Sequence, residues 1–129
     1  MALARTDLIY PELCYKIIGV LFDVYNELGS GFQERYYQRA VSTAFRKCGV
    51  VFREQVSVPL EYKGSKVGRY YLDFLVEDKL VLELKKGEYF PRENIQQIYA
   101  YLRATQLKLG ILANFTSSGI KFKRVLNLR

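Results

Sequence analysis

The run LKLGILANF, residues 107–115, constrains the fold more than any other stretch. Its apolar residues fall on both faces of an extended chain, as in a strand covered on two sides. Just before it, RENIQQIYAYLRAT (92–105) places Ile95, Ile98 and Leu102 at helical spacing. Before that, Leu80 to Lys86 has the look of a strand. A strand, a helix and a second strand in that order form a crossover, so the two strands should be parallel neighbours.

The rest of the chain adds layers to this unit. PELCYKIIGVLFDVYNEL (11–28) carries Leu13, Ile17, Val20, Leu21, Val24 and Leu28 on one helical stripe, with Pro11 in its first turn and Gly29-Ser30-Gly31 as its stop. A second helix is expected over 33–47, with Tyr37, Val41, Ala44, Phe45 and Cys48 as its stripe and Gly49 at its end. From Val50 the period changes to two. VVFREQVSVPLEY reads as a strand in which Pro59 marks an edge or a bulge. Lys63 to Lys66 reads as a turn, and Val67 to Val76 as the next strand. IKFKRVLNL at the end is an optional edge strand. The expected fold is α/β (α+β): a mixed central sheet flanked by helices, in the order α-α-β-β-β-α-β, within one domain over 1–129.

The hairpin RYYLDFLVEDKLVLELKKGEY (69–89) holds an awkward pair. If Leu72, Phe74 and Val76 share a face with Leu80, Leu82 and Leu84, the pairings are 72–84, 74–82 and 76–80, around a loop from Glu77 to Lys79. That register sets Asp73 opposite Glu83 and Tyr71 opposite Lys85, all on one face with Leu75 and Val81. Directly opposed side chains lie about 4.5–5.5 Å apart at Cβ, and like charges there are destabilising. Something positive should offset them. Lys85 is one candidate; a divalent cation, which is commonly held by one or two carboxylates, is another. A solvent-facing hairpin with an ordinary ion network would use the same residue types.

Composition narrows the chemistry. The chain has no histidine, which removes Ser-His-Asp triads, histidine bases and His-ligated zinc together. Its net charge of +7 favours polyanionic partners. Arg53, Lys66, Arg69 and Lys86 are candidates for contact with a phosphate backbone. Cys14 and Cys48 both fall in helical patterns and read as reduced core thiols. No apolar stretch approaches the roughly 18 residues of a membrane span, and MALARTDLIYPE lacks the pattern of an export signal. The expectation is a cytoplasmic protein with no membrane partner.

Asp73, nine residues, then Glu83-Leu84-Lys85 resembles the D-x(n)-(D/E)-x-K signature of the PD-(D/E)xK nuclease superfamily. LGSGFQERYYQRAV further resembles the hallmark of the GxxExxY family, with Gly31, Glu34 and Tyr37 in the named positions. The likeness extends through LDFLVEDKLVLELK to QQIYAYLRATQLKLGILANF. It departs from the family pattern at Leu72, where proline is usual, and at Tyr25, where many relatives carry histidine.

The resemblance implies a restriction-endonuclease-like core and hydrolysis of phosphodiesters, most naturally in DNA, with Mg²⁺ or Mn²⁺ as cofactor. It makes Asp73, Glu83 and Glu34 metal ligands and Lys85 the residue that positions water and stabilises charge. Gln97 and Tyr101 become helix-borne supports of the site. By their own spacing, Glu34 also suits a helix first turn, and Gln97 and Tyr101 a surface i, i+4 pair. Three readings stand at this stage: a nuclease, a nucleic-acid-binding module on the same fold, and an interaction protein with a structural ion network. A homodimer is compatible with each.

Overall fold

The structure, a computed structural model, describes residues 9–128. The segment read above for an export signal therefore lies, over residues 1–8, outside the described residues. Three helices and five strands follow in the order α1 (Pro11–Leu28), α2 (Glu34–Lys47), β1 (Phe52–Tyr62), β2 (Ser65–Val76), β3 (Leu80–Lys86), α3 (Arg92–Thr105), β4 (Leu109–Thr116) and β5 (Gly119–Leu126). The strands make one mixed sheet in the order β1-β2-β3-β4-β5. β3 and β4 are parallel, as the crossover requires, and the other neighbours are antiparallel.

β4 is buried along its whole length because helices cover both of its faces. Leu109, Ile111, Ala113 and Phe115 join a cluster with Ile17 and Leu21 of α1 and Val41 and Phe45 of α2. Leu112 joins a second cluster with Ile98 and Leu102 of α3. Gly110 is needed where α3 crosses, since a Cβ there would run into Cγ2 of Ile98. The terminal segment does form an edge strand, β5, paired from Thr116↔Gly119 to Leu109↔Leu126. Tyr25, the departure in α1, donates its hydroxyl to the Thr116 carbonyl at 2.9 Å and fastens that helix to the end of β4. Among the described residues no helix is long and apolar enough to cross a membrane.

Three expectations need correction. Cys48 is not a core thiol: it caps α2 and is exposed, whereas Cys14 is buried, and both are free. Pro59 does lie on an edge strand with a register shift beside it at Leu60/Glu61, yet β2 already starts at Ser65, which shortens the turn to Lys63 and Gly64. The third correction concerns the hairpin. The β2–β3 ladder contains Phe74↔Leu82, Leu75↔Val81 and Val76↔Leu80 and goes no further. The expected pair Leu72–Leu84 is not formed. Phe74 and Leu84 face α1 and α2, but Leu72 faces α3.

The cause lies in β1. Gln55 sits opposite Asp73 with φ of 50°, a left-handed conformation that costs a non-glycine residue roughly 1–2 kcal/mol. Phe52 on one side of it packs with the first cluster, and Val56 and Val58 on the other side pack with the second. Both strands therefore roll over at this point. Beyond it, β1 and β2 curl as a two-stranded arm toward α3, where the Tyr70 hydroxyl donates to the Gln97 carbonyl at 3.3 Å. β2 and β3 part company at Asp73 and Glu83. The sheet has a fork there.

Candidate active site at the fork of the sheet

Where the ladder stops, two backbone N–H groups lose their strand partners. Carboxylates replace them. The Asp73 N–H donates to Oε1 of Glu83 at 2.8 Å, and the Leu84 N–H donates to Oδ2 of Asp73 at 2.7 Å. Each acid thus caps the opposite strand, which is why the pair can be buried, with Asp73 7% and Glu83 4% exposed. Carboxamides take the outer oxygens. Nε2 of Gln38 on α2 donates to Oδ1 of Asp73 at 3.0 Å, and Nδ2 of Asn94 on α3 donates to Oε2 of Glu83 at 3.4 Å. The two helices thereby reach the acidic pair from opposite faces of the sheet.

The sequence GSGFQERYY explains how α2 is aimed. Gly31, with φ of 95°, turns the chain, and its carbonyl accepts from Nζ of Lys86 at 3.4 Å. Glu34 then accepts from the Lys86 N–H at 3.1 Å through Oε2, and its Oε1 lies 3.8 Å from Nζ of Lys85. Tyr37 donates its hydroxyl to the Gly29 carbonyl and stacks on Phe115, ring centroids 4.0 Å apart. Gly, Glu and Tyr at this spacing clamp the start of α2 onto the ends of β3 and β4. Asn114 does the same for the β3–α3 connection, donating to the carbonyls of Gly87 at 3.3 Å and Tyr89 at 2.6 Å.

Electrostatics follow from burial. Loss of water raises the Glu83 carboxyl from its ordinary 4.5 to about 8, and the neighbouring Asp73 charge adds to the rise. Asp73 is also raised, first by burial, with the Leu84 N–H acting against the shift. The Lys85 charge lowers both, but among the described residues no Lys or Arg nitrogen lies within 4.0 Å of either acid. At neutral pH the bare pair therefore holds a proton or needs a cation.

Asp73, Glu83, Lys85 and Glu34 thus come together at the fork. Among the described residues there is no group of three or more His, Cys, Asp or Glu side chains that could hold one ion, so Glu34 does not join the pair as a preformed third ligand. The side chains of Gln97 and Tyr101 make no hydrogen bond to the pair among the described residues; Asn94, one turn before Gln97, does. Lys86 flanks the site, Lys66 and Arg69 are exposed on the arm, and Arg53 is engaged by Asp78 at 3.0 Å. Gln38 and Asn94 escaped the sequence reading. Helical spacing carried the signal, since Gln38 is four residues after Glu34 and Asn94 three before Gln97.

A mixed sheet with a helix crossover, and an acid pair plus lysine at the strand fork, define a nuclease-type fold. The family model described as the PD-(D/E)XK nuclease superfamily matches residues 11–125, and the chain belongs to that superfamily. A solved structure, "Crystal structure of SSO0001", superposes with a TM-score of 0.53 at 14% identity, covering 95% of this chain and 60% of that one. At that identity the likeness is one of fold, and this chain spans less than two thirds of that protein. No curated protein matches the sequence significantly.

Proposed function

We propose that the chain is a metal-dependent nuclease that hydrolyses phosphodiester bonds, with DNA as its substrate and Mg²⁺ or Mn²⁺ at Asp73 and Glu83. One observation carries this reading: two carboxylates are buried side by side with no protein cation within 4.0 Å among the described residues. The donor set fits a hard divalent ion. Each of the four oxygens accepts one hydrogen bond and keeps a further lone pair, and Mg²⁺ is commonly held by one or two carboxylates with water completing its shell. When bound, the ion would supply an activated water and a Lewis acid for a phosphoryl oxygen.

The protein's own residues do the rest. Backbone N–H groups and the carboxamides of Gln38 and Asn94 hold the acids in place before any ligand arrives. Lys85 carries a fixed positive charge beside them, suited to the negative charge that develops on the phosphoryl group. Glu34 restrains Lys85 by its 3.8 Å contact. In this proposal it is a positioning residue. Gln97 and Tyr101 support α3, which brings Asn94 to the site. Lys86, Lys66 and Arg69 meet the phosphate backbone.

A binding module without catalysis is a second reading, favoured by the small exposure of both acids. A panel of plasmid, linear, single-stranded and branched DNA, incubated with Mn²⁺, Mg²⁺ or EDTA, separates the two. Metal-dependent cutting that Lys85→Ala abolishes is the expected result. DNA binding without cutting by the wild type would favour the module. Equal cutting by both proteins would overturn the role of Lys85.

A further inference from the structure

Four exposed aromatic residues, each within four positions of Glu34, Asp73 or Lys85 along the chain, belong to neither core cluster. Phe32 and Tyr36 stand at the start of α2, each 41% exposed; Tyr71 on β2 is 51% exposed, and Tyr89 after β3 is 87% exposed. Exposed apolar side chains scattered singly need no explanation. These four recur beside the residues of the fork, and contacts already described fix the backbone that carries Phe32, Tyr36 and Tyr89. Gly31 and Glu34 hold the Phe32–Tyr36 turn against Lys85 and Lys86. Tyr71 is two residues from Asp73, and because Tyr70 turns toward α3, Tyr71 points away from α3. The backbone of Tyr89 is fixed by Asn114.

The Tyr36 ring stands beside two cations. Cζ of Arg35 lies 5.0 Å and Cζ of Arg39 5.8 Å from the Tyr36 ring centroid. Glu34 and Glu88, the acids nearest Phe32, Tyr36 and Tyr89 in sequence, are engaged by Lys85 at 3.8 Å and Lys121 at 3.9 Å. Aromatic faces interleaved with cations, around a recessed acidic pair, suit a strand with free bases. Unpaired bases can stack on the rings while their backbone bends down to the carboxylates. A duplex keeps its base faces inside and offers the rings only the faces of its terminal pairs.

Resting on the nuclease reading for what happens at the acids, we propose that this rim is a base-stacking platform and that the substrate is single-stranded or frayed nucleic acid. The test is a binding measurement in EDTA, so it stands apart from cleavage. The full chain is titrated into a fluorescent oligothymidylate and into a blunt duplex of equal length. Wild type is compared with Tyr36→Leu, Tyr71→Leu and Tyr89→Leu, whose melting temperatures are checked first.

The single strand should bind at least tenfold more tightly than the duplex. Each ring removed should weaken single-strand binding roughly tenfold and leave duplex binding unchanged. The salt slope should not move, because no charge is lost. Equal or tighter duplex binding, or single-strand affinity indifferent to all three substitutions, would overturn the platform. That result could coexist with metal-dependent cutting, and a failure to cut could coexist with an intact platform, so the two proposals fail separately.

Discussion

Glu83→Gln isolates the electrostatic strain at the fork. In metal-free protein the Glu83 carboxyl titrates near 8 instead of 4.5, chiefly because it is buried. Between those values the folded protein keeps a proton that the unfolded chain releases, so stability must fall as pH rises, and the loss is complete above the folded value. At about 1.4 kcal/mol per pKa unit the full loss is at most ~5 kcal/mol, and relaxation or water entry would reduce it to a few kcal/mol. Glutamine carries no charge to desolvate. Its side-chain oxygen can still accept the Asp73 N–H, and its amide can donate to the Asn94 carboxamide oxygen once that side chain flips.

The chain lacks histidine, so no histidine titration overlays that window. Urea unfolding in EDTA from pH 5 to 9 should show wild-type stability declining steeply and the variant declining only by the share of Asp73, whose carboxyl is also raised by burial. Above pH 8 the variant should be the more stable by a few kcal/mol, or roughly 10 °C in melting temperature for a domain of this size. A wild type equally stable at pH 5.5 and 8.5 would refute the reasoning. So would a variant that keeps the wild-type slope.

Other substitutions test the parts separately. Asn94→Ala and Gln38→Ala should each weaken Mn²⁺ binding roughly tenfold in a calorimetric titration, because they free one oxygen of a ligand acid from its orienting bond; unchanged affinity would remove both from the site. Glu34→Gln should slow cleavage at least tenfold while costing less than about 1 kcal/mol of stability, since its pair with Lys85 is partly exposed. A large drop in melting temperature would make Glu34 a structural residue instead. Gly110→Ala should destabilise by about 1–3 kcal/mol in urea, through the clash of its Cβ with Ile98; a neutral result would show that α3 can shift freely on β4.

The parallel β3–β4 pair was legible because periodicity switched twice around residues 92–105 and β4 had no polar face. The hairpin loop was equally legible, since only a three-residue connection kept both apolar rows in register. What escaped was the end of that ladder. Leu72 looks like Phe74 in an alternating pattern, and nothing in the letters says that Gln55 adopts a left-handed conformation and rolls the arm toward α3. The opposition of Asp73 and Glu83 was legible as like charges on facing strands. Its solution was not foreseen: the acids cap each other's backbone at a fork. Gln38 and Asn94 were hidden by their chemistry. Neutral carboxamides on helices read as surface residues until a second element is seen to approach them.

The central claim is that Asp73 and Glu83 form a metal site and not a structural ion network. Anomalous scattering from crystals grown with Mn²⁺ tests it most directly. The account predicts one strong peak in coordination contact with a carboxylate oxygen of each acid, lost in Asp73→Asn. Manganese bound only elsewhere, with the Lys85 ammonium moved in to pair with both acids, would contradict it.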